Sequence, residues 1–526
     1  MTGGVPEGVV ATGITLDSRL VQPGDVYAAA PGARTHGARF ATAAVERGAV
    51  AVLTDAEGAA LCRPEPAGVP VLTVAAPRRV LGALAARVYG DPTAQLRLLA
   101  VTGTQGKTTT TRLAEGALQA SGVPAGVIGT VGTRVAGEDV PSALTTPEAP
   151  ELHALFAVMR EREVEACAME VSSHALVMGR VDGVRFDVAA FTNLGRDHLD
   201  FHADVEDYFA AKASLFTRRH TRLALVNLDD AWGRRLHAQL TAADELPVRS
   251  FAVVGDEGAD GAGGVSGESG ASDASRAVTA DWRAGEVQST ASGSAFTVHG
   301  PGGARARVEV ALPGRFNVSN ALCALAGLVE LGYSLSAVAA GIAAVRGVPG
   351  RLEVVDAGQP FLAVVDYAHK PDAVEAVLRD LRARTPGRLV VVLGAGGDRD
   401  RGKRPLMGEV AARWADVVVV TDDNPRTEDP AAIRAEVLEG ARGGARRGTQ
   451  GAGDRHAELH EVGDRRAAIT FAVERAGPVA GEDTVAVLGK GHESGQEVGG
   501  VTHAFDDRVE LRAALERRAE AASWSR

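Results

Sequence analysis

The residues with the clearest chemistry are Thr102-Gly103-Thr104-Gln105-Gly106-Lys107-Thr108-Thr109. Two glycines, a lysine and a hydroxyl at the start of a helix form a phosphate cradle. Backbone N–H groups point at the anion, the lysine adds a positive charge, and the threonine hydroxyl can ligate magnesium. The full phosphate-loop pattern has glycine where this chain has Val101, so the loop is the shortened form Gly-x-x-Gly-Lys-Thr. Such a loop serves kinases, switches and transporters alike, and the other polar clusters must decide its use.

Five further groups stand out, several of them at the ends of apolar runs. Met169-Glu170-Val171-Ser172-Ser173-His174 carries a carboxylate suited to Mg²⁺, or simply a polar strand end packed into a turn. Thr192-Asn193-Leu194-Gly195-Arg196-Asp197-His198-Leu199-Asp200 offers His198 as a metal ligand and Arg196 with Asp197 as an ion pair. Asn317 and Asn320 can read a base edge or ribose, or can cap the helix that follows. In the last third stand Arg351, Asp366-Tyr367-Ala368-His369, the stretch Gly394 to Arg404, and Asp423-Asn424-Pro425-Arg426. Gly489-Lys490-Gly491-His492-Glu493 is either a second anion loop or a glycine turn. The glycine spacing of Gly394-Ala395-Gly396-Gly397-Asp398-Arg399 is wrong for a dinucleotide fingerprint, which argues against NAD. Lys212, within Ala-Ala-Lys-Ala-Ser on a helix expected from Tyr208 to Phe216, reads by itself as a solvated lysine.

The elements that must position these groups alternate short apolar runs with amphipathic stretches, the pattern of α/β domains with largely parallel sheets. Strands are expected at Leu96–Val101, Ala166–Val171, Val188–Thr192 and Leu223–Asn227, and again at Phe361–Val365, Arg388–Leu393, Asp416–Thr421 and Thr484–Leu488. A helix is expected from Thr108 to Gln119 and another from Asp372 to Arg384. The N-terminal part has strands at Asp25–Ala29, Ala49–Thr54 and Val69–Val74 around a helix at Ala41–Arg47. Gly90-Asp91-Pro92 and Gly347-Val348-Pro349-Gly350 are the candidate linkers. Gly255 to Ser275 is nearly all Gly, Ala, Ser, Asp and Glu and reads as a disordered insertion, with Gly443 to Arg455 a smaller case.

A chain of 526 residues carries a prior of about three to four domains. A net charge of −11 excludes whole-surface binding to nucleic acid or to membranes. Cys62, Cys167 and Cys323 are scattered without paired spacing, against a structural zinc or disulfide framework and in favour of a reducing cytoplasm. Met1 to Val10 lacks the basic and apolar regions of a signal peptide, and no apolar run is long enough for a membrane span.

Taken together and in order from about Thr12 to Asp507, these motifs resemble the Mur ligase family. The resemblance implies an α/β chain of three domains: residues 1–93 for a UDP-sugar, 94–346 as a P-loop-type central ATPase sheet, and 347–526 as a Rossmann-like domain for the incoming amino acid. It implies that Leu16 and Ser18 contact the UDP-sugar, with Ala33 to Thr35 as a neighbouring, poorly matched uridine loop. Gly103, Thr104, Gln105, Gly106, Lys107, Thr108 and Thr109 would hold ATP, with Asn317, Arg351 and Asp366 around the adenosine and γ-phosphate. Thr145, Thr146, Ser172 and Arg180 would bind the muramoyl dipeptide, and Thr108, Glu170, His198 and Lys212, the last as a carbamate, would serve Mg²⁺. Arg399, Asp423, Asn424, Pro425, Arg426, Gly489 and Glu493 would form a diaminopimelate pocket.

The resemblance implies a monomeric cytoplasmic enzyme of peptidoglycan synthesis. It would join diaminopimelate to UDP-MurNAc-L-Ala-D-Glu at the expense of ATP, with Lys107, Glu170, His198 and Lys212 as its catalytic set. Arginine in Asp-Asn-Pro-Arg can bind the distal carboxylate of diaminopimelate, which lysine lacks. Relatives that add lysine, or that join glutamate to folate, lack this arginine or the N-terminal domain. A P-loop switch would not need the Glu170, His198 and Lys212 set.

Overall fold

The computed structural model describes residues 10–32, 34–62, 68–142, 144–195, 197–198, 201–254, 280–290, 293–447, 456–477, 479 and 481–524. Ala33, Arg196, Leu199, Asp200 and the whole 255–275 insertion lie outside them. Three α/β layers follow one another along the chain. The first is a four-stranded sheet, Gly13–Thr15, Asp25–Ala28, Ala51–Thr54 and Val71–Thr73, hydrogen-bonded in chain order and parallel throughout.

The second is an 11-stranded sheet. Its parallel part runs Ala125–Gly129, Ala166–Glu170, Arg97–Thr102, Phe186–Phe191, Thr221–Asn227, Val248–Val253 and Trp282–Ser289. Antiparallel strands flank it, Gly132–Val135 and Glu138–Val140 at one edge and Ser294–His299 and Arg305–Val310 at the other. The strand Arg97–Thr102 explains why such segments read as unbroken apolar runs. Leu99 and Val101 pack under the helices Lys107–Ala120 and Arg315–Glu330, whereas Leu98 and Ala100 pack against Leu152, Phe156 and Met159 of the helix Ala149–Glu161. Both faces are covered, so no polar alternation remains.

The third sheet has six strands in the order Glu353–Val354, Leu362–Asp366, Thr484–Leu488, Leu389–Leu393, Val417–Val420 and Glu458–Glu461, all parallel except the first pair. Val374, Leu378 and Leu381 of the helix Pro371–Arg384 cover one face, with Met407 and Val437 from the helices Lys403–Trp414 and Pro430–Arg447. Ile469, Val473, Leu511 and Leu515 cover the other. The C-terminal ends of adjacent strands, at Asp366, Leu393, Val420 and Leu488, open on one side, where open α/β sheets bind ligands.

The expected strands are present with ends displaced by at most two residues. Two expectations are corrected. The helix placed at Tyr208–Phe216 is Val205–Ala213, started three residues earlier by Asp204, whose carboxylate accepts from Asp207 N. The low-complexity stretch from Gly443 begins inside the helix Pro430–Arg447, because Ala441 packs on the third core and Gly444 lies close against Glu409 of the neighbouring helix.

Candidate active site

The phosphate loop leaves the strand Arg97–Thr102 and enters the helix Lys107–Ala120. Gly103 and Gly106 adopt φ of 150° and 85°. A Cβ on Gly103 would meet Thr192 Oγ1 at 1.9 Å, and one on Gly106 would meet Asn320 Oδ1 at 2.4 Å. Only glycine combines this backbone with so close an approach. The neighbouring strand end grips the loop: Thr104 N and Gln105 N donate to Asn193 O and Oδ1, both at 2.9 Å, and Thr192 Oγ1 donates to Gln105 O at 2.7 Å. The first N–H groups of the helix have no intrahelical acceptor and face the loop mouth. Lys107 Nζ folds back to donate to Gly103 O at 2.7 Å and Thr104 O at 3.1 Å. Burial lowers the Lys107 ammonium to about 8, against the opposing pull of Glu170.

Glu170 stands at the end of its strand, 1% exposed. Its Oε1 accepts from Thr108 Oγ1 at 2.9 Å and from Thr130 N at 2.8 Å, and Oε2 accepts from Thr130 Oγ1 at 3.0 Å. The carboxylate is therefore fixed beside the loop hydroxyl rather than packed away in a turn. Thr130 was not foreseen; its signal is the Gly129-Thr130-Val131-Gly132 turn between two short strands. Thr145, Thr146, Ser172 and Arg180 gather next to Glu170. Thr145 Oγ1 is 3.2 Å from Thr130 Oγ1, Thr146 Oγ1 donates to Glu170 O at 2.9 Å, and Ser172 N donates to Thr146 Oγ1 at 3.2 Å. Arg180 pairs with Glu148 at 3.0 Å, and Glu148 also pairs with Arg78 of the N-terminal layer at 3.1 Å.

Lys212 corrects its sequence reading: it is 1% exposed, not solvated. Nζ donates to Gly103 O at 2.9 Å and lies 4.5 Å from the Tyr208 ring centre. Burial, and then the charge of Lys107, holds its pKa well below that of an ordinary lysine. His198 Nε2 is 3.0 Å from Asp197 Oδ2, and its ring meets His174 edge-on at 4.8 Å. Burial disfavours the Asp197 charge, but hydrogen bonding to His198 and the nearby Lys370 outweigh it and hold the carboxyl far below its usual range. Among the described residues no cluster of three or more His, Cys, Asp or Glu side chains is arranged to hold a metal ion by itself. Mg²⁺ seldom uses such a cage and takes one or two carboxylates plus phosphate and water. The pairing of Thr108 hydroxyl with Glu170 carboxylate at the phosphate loop fits that donor set.

The asparagines do not cap. Asn317 and Asn320 lie inside the helix Arg315–Glu330, whose N-cap is Gly314, and Asn320 Nδ2 donates to Asn317 Oδ1 at 3.1 Å. The close approach of Gly106 places Asn320 against the phosphate loop.

The third layer reaches this centre. Arg351 Nη2 donates to Thr108 Oγ1 at 3.0 Å, its guanidinium lies 4.8 Å from the Tyr367 ring centre, and its buried Nε has no acceptor among the described residues. A buried arginine N–H without an acceptor beside a phosphate loop suits an incoming anion. His492 donates to Thr130 O at 3.2 Å, and Lys370 donates to Asp197. Asp366 uses both oxygens on backbone, accepting from Leu352 N and Ala368 N at 2.7 Å each, and so shapes the strand end. Burial raises its pKa, opposed by Arg351.

The remaining motif residues cluster at the strand ends of the third layer. Asn424 Nδ2 donates to Glu493 Oε2 at 2.9 Å, Arg426 Nη1 donates to Gly397 O at 2.6 Å, and Arg426 Nε is 3.4 Å from Glu497 Oε2. A Cβ on Gly489 would come within 2.8 Å of Asp423 Oδ2, and one on Gly397 within 1.9 Å of Pro425 O. The buried pair of Arg465 and Asp507, at 2.7 Å, braces this wall through Arg465 donation to Leu488 O and Asp422 O. Arg399 is exposed and has no hydrogen bond or ion pair among the described residues. Leu16 and Ser18 follow the strand Gly13–Thr15 in the first layer.

The second layer thus supplies the phosphate loop, and the third supplies an arginine and a cluster of polar side chains at its strand ends. Three family models match: "Mur ligase family, catalytic domain" over residues 10–89, "Mur ligase middle domain" over 101–328 and "Mur ligase, glutamate ligase domain" over 350–491. The chain belongs to the Mur ligase family, an α/β family of ATP-dependent ligases.

More particularly, it is 52% identical over 506 residues to the UDP-N-acetylmuramoyl-L-alanyl-D-glutamate–2,6-diaminopimelate ligase of Streptomyces coelicolor, covering 96% of this chain and 92% of that protein. It is 49% identical over 507 residues to the ligase of the same name from Corynebacterium glutamicum, covering 95% and 91%. A solved structure of a diaminopimelate ligase of that name superposes with a TM-score of 0.65 at 33% identity, covering 97% of this chain and 95% of the other. A Mycobacterium tuberculosis folylpolyglutamate synthase shares the fold at a TM-score of 0.58 and 19% identity, covering 84% and 94%.

Proposed function

We propose that the chain joins 2,6-diaminopimelate to the D-glutamyl γ-carboxylate of UDP-MurNAc-L-Ala-D-Glu, giving the UDP-MurNAc-tripeptide, ADP and phosphate for peptidoglycan synthesis. The observation that supports this reading is the contact of Arg351 with Thr108, which joins the layer carrying Asp423, Asn424, Arg426 and Glu493 to the phosphate loop. In this reading residues 1–93, 94–346 and 347–526 bind nucleotide sugar, ATP and amino acid respectively, and the enzyme works as a cytoplasmic monomer. Among the described residues no helix is long and apolar enough to cross a membrane.

The loop Gly103 to Thr109 would receive the ATP phosphates on backbone N–H groups, with the Lys107 ammonium turning from Gly103 O to the β/γ-phosphates. Asn317 and Asp366 would shape the adenosine side. Thr145, Thr146, Ser172 and Arg180 would orient the dipeptide so that its γ-carboxylate meets the γ-phosphate. The Arg351 guanidinium would face the charge that develops as the acyl phosphate forms. The diaminopimelate amine then attacks the activated carbonyl and phosphate leaves. Arg426 and Glu493 would hold the distal carboxylate and ammonium. Leu16 and Ser18 would contact the UDP-sugar, and Arg399 would close on the amino acid when it binds.

Thr108, Glu170 and His198 would hold Mg²⁺, which supplies charge neutralisation between the phosphates. Lys212, buried and with its pKa held well below that of an ordinary lysine, is suited to lose a proton, take up CO₂ and become an oxygen-bearing anion. Purified protein should release phosphate from ATP only when UDP-muramoyl dipeptide and diaminopimelate are both present. Equal turnover of meso-diaminopimelate, LL-diaminopimelate and lysine in a panel assay would sink the pocket assignment. Carbon-13 NMR in labelled bicarbonate should show a carbamate signal that Lys212→Met abolishes; an unchanged spectrum removes that role.

A further inference from the structure

Lys490 has no role in the reading above, yet its side chain is 0% exposed in the wall of the amino-acid pocket. Nζ donates to Asn424 Oδ1 at 2.9 Å and to Glu493 Oε2 at 3.2 Å, and stands 3.7 Å from Asp423 Oδ1. The backbone aims it there. Gly489 and Gly491, on either side, have φ of 119° and 55°, and a Cβ on Gly491 would come within 2.7 Å of Tyr367 Cβ. An ammonium buried so completely is costly unless its protons are all directed at oxygens.

Two consequences follow from this geometry. The first is orientation. Asn424 Oδ1 receives Lys490 Nζ and Glu497 N, the latter at 3.0 Å, while Nδ2 donates to Glu493 Oε2 at 2.9 Å. A reversed amide would turn its NH₂ toward two donors, so Lys490 locks the amide, and the amide in turn locks Glu493. The second is charge. Asp423 and Glu493 carry two negative charges, and Lys490 is the cation in direct contact with Glu493, with Lys403 acting on Asp423 and Arg465, itself paired with Asp507, acting on both from farther off. Arg426 pairs with the more exposed Glu497. Carboxylates offset by a buried ammonium near an arginine complement one ammonium and one carboxylate; without Lys490 the same carboxylates would repel the substrate's carboxylate more strongly.

We infer that Lys490 is a specificity-determining residue of the amino-acid pocket, setting its charge and fixing Asn424 and Glu493 to receive the distal ammonium–carboxylate centre of diaminopimelate. The inference rests on the pocket assignment made under the proposed function. Lys490 acts through Asn424 and Glu493 and is a positioning residue.

The test uses the full-length enzyme with ATP and UDP-muramoyl dipeptide saturating. Lys490→Met removes the charge, and Lys490→Gln keeps hydrogen-bond donors without it. Both should raise KM for diaminopimelate at least about tenfold and lower the preference for diaminopimelate over lysine by a similar factor, while kcat and KM for ATP stay within about threefold. In a Glu493→Gln background, where the carboxylate in direct contact with Lys490 is gone, adding Lys490→Met should change KM less than about threefold. If the wild type uses diaminopimelate and both variants keep its KM, the inference is overturned alone. The same holds if both variants raise all KM values together and lose thermal stability, or if the Glu493 and Lys490 effects simply multiply. If the wild type prefers another amino acid, the pocket assignment falls and takes the inference with it.

Discussion

His492 joins the third layer to the second through Thr130, and its protonation should decide how firmly they hold together. A carbonyl can only accept, so the Nε2 that lies 3.2 Å from Thr130 O carries the proton. Nδ1 is then the lone-pair nitrogen; it is buried and has no hydrogen-bond partner among the described residues. Burial, then the charge of Arg351 with a smaller push from Arg508, lowers the imidazole from 6.5 to about 4, against the opposing effects of Thr130 O and Glu170.

The docked form thus binds fewer protons than a form with His492 in water, and acid favours the separated form. The effect is absent well above 6.5, grows as pH falls toward 4, and levels off below that. Those two values shift the equilibrium between docked and separated forms about 30-fold toward the separated one at about pH 5, or about 2 kcal/mol. The assay compares kcat/KM of the wild type with that of His492→Gln, whose amide nitrogen reaches the Nε2 position and donates to Thr130 O but does not titrate. Between about pH 8 and about pH 5 the wild-type to variant ratio should fall, by up to about 30-fold, other titrations cancelling between the two. A ratio that stays flat across this range would refute the reasoning.

Other outcomes follow from the same geometry. Glu170→Gln keeps the shape that Thr108 and Thr130 hydrogen-bond but removes the charge, so kcat should fall about 10²–10³-fold with little change in melting temperature. A large loss of stability would instead mark Glu170 as structural. Gly106→Ala forces a side chain into φ 85° and toward Asn320, at a strain of at least about 1 kcal/mol. Calorimetry should show ATP binding weakened at least about tenfold in that variant, while UDP-dipeptide binding is retained. Arg426→Ala removes a charge-assisted bond worth about 1.5–3 kcal/mol and should raise KM for diaminopimelate about 10- to 150-fold with KM for ATP unchanged. A uniform rise would point to misfolding.

Much of the site was legible because interior parallel strands are covered on both faces. They read as apolar runs, and the polar residues at their ends stand out as Glu170, Asp366 and Asp423 do. The phosphate loop was legible for the same reason, as was the Asp-Asn-Pro-Arg cluster. The flanking strands Gly132–Val135 and Glu138–Val140 were not, since they are too short for alternation to register. Thr130, in the turn before them, was missed with them.

By itself the sequence determined the order of elements and the chemistry at each strand end, because strand period, glycine φ demands and side-chain type are local properties. Only the tertiary structure decided which groups lose water and which meet. Lys212 sits in an alanine-rich window that suits a solvated helix, and it is buried because Gly103 and Tyr208 close over it. Thr108 and Arg351 are 243 residues apart and share a hydrogen bond. Thr130 and His492, 362 residues apart, do the same. Contacts across such separations are set by how the layers pack, and no local pattern of residues encodes them.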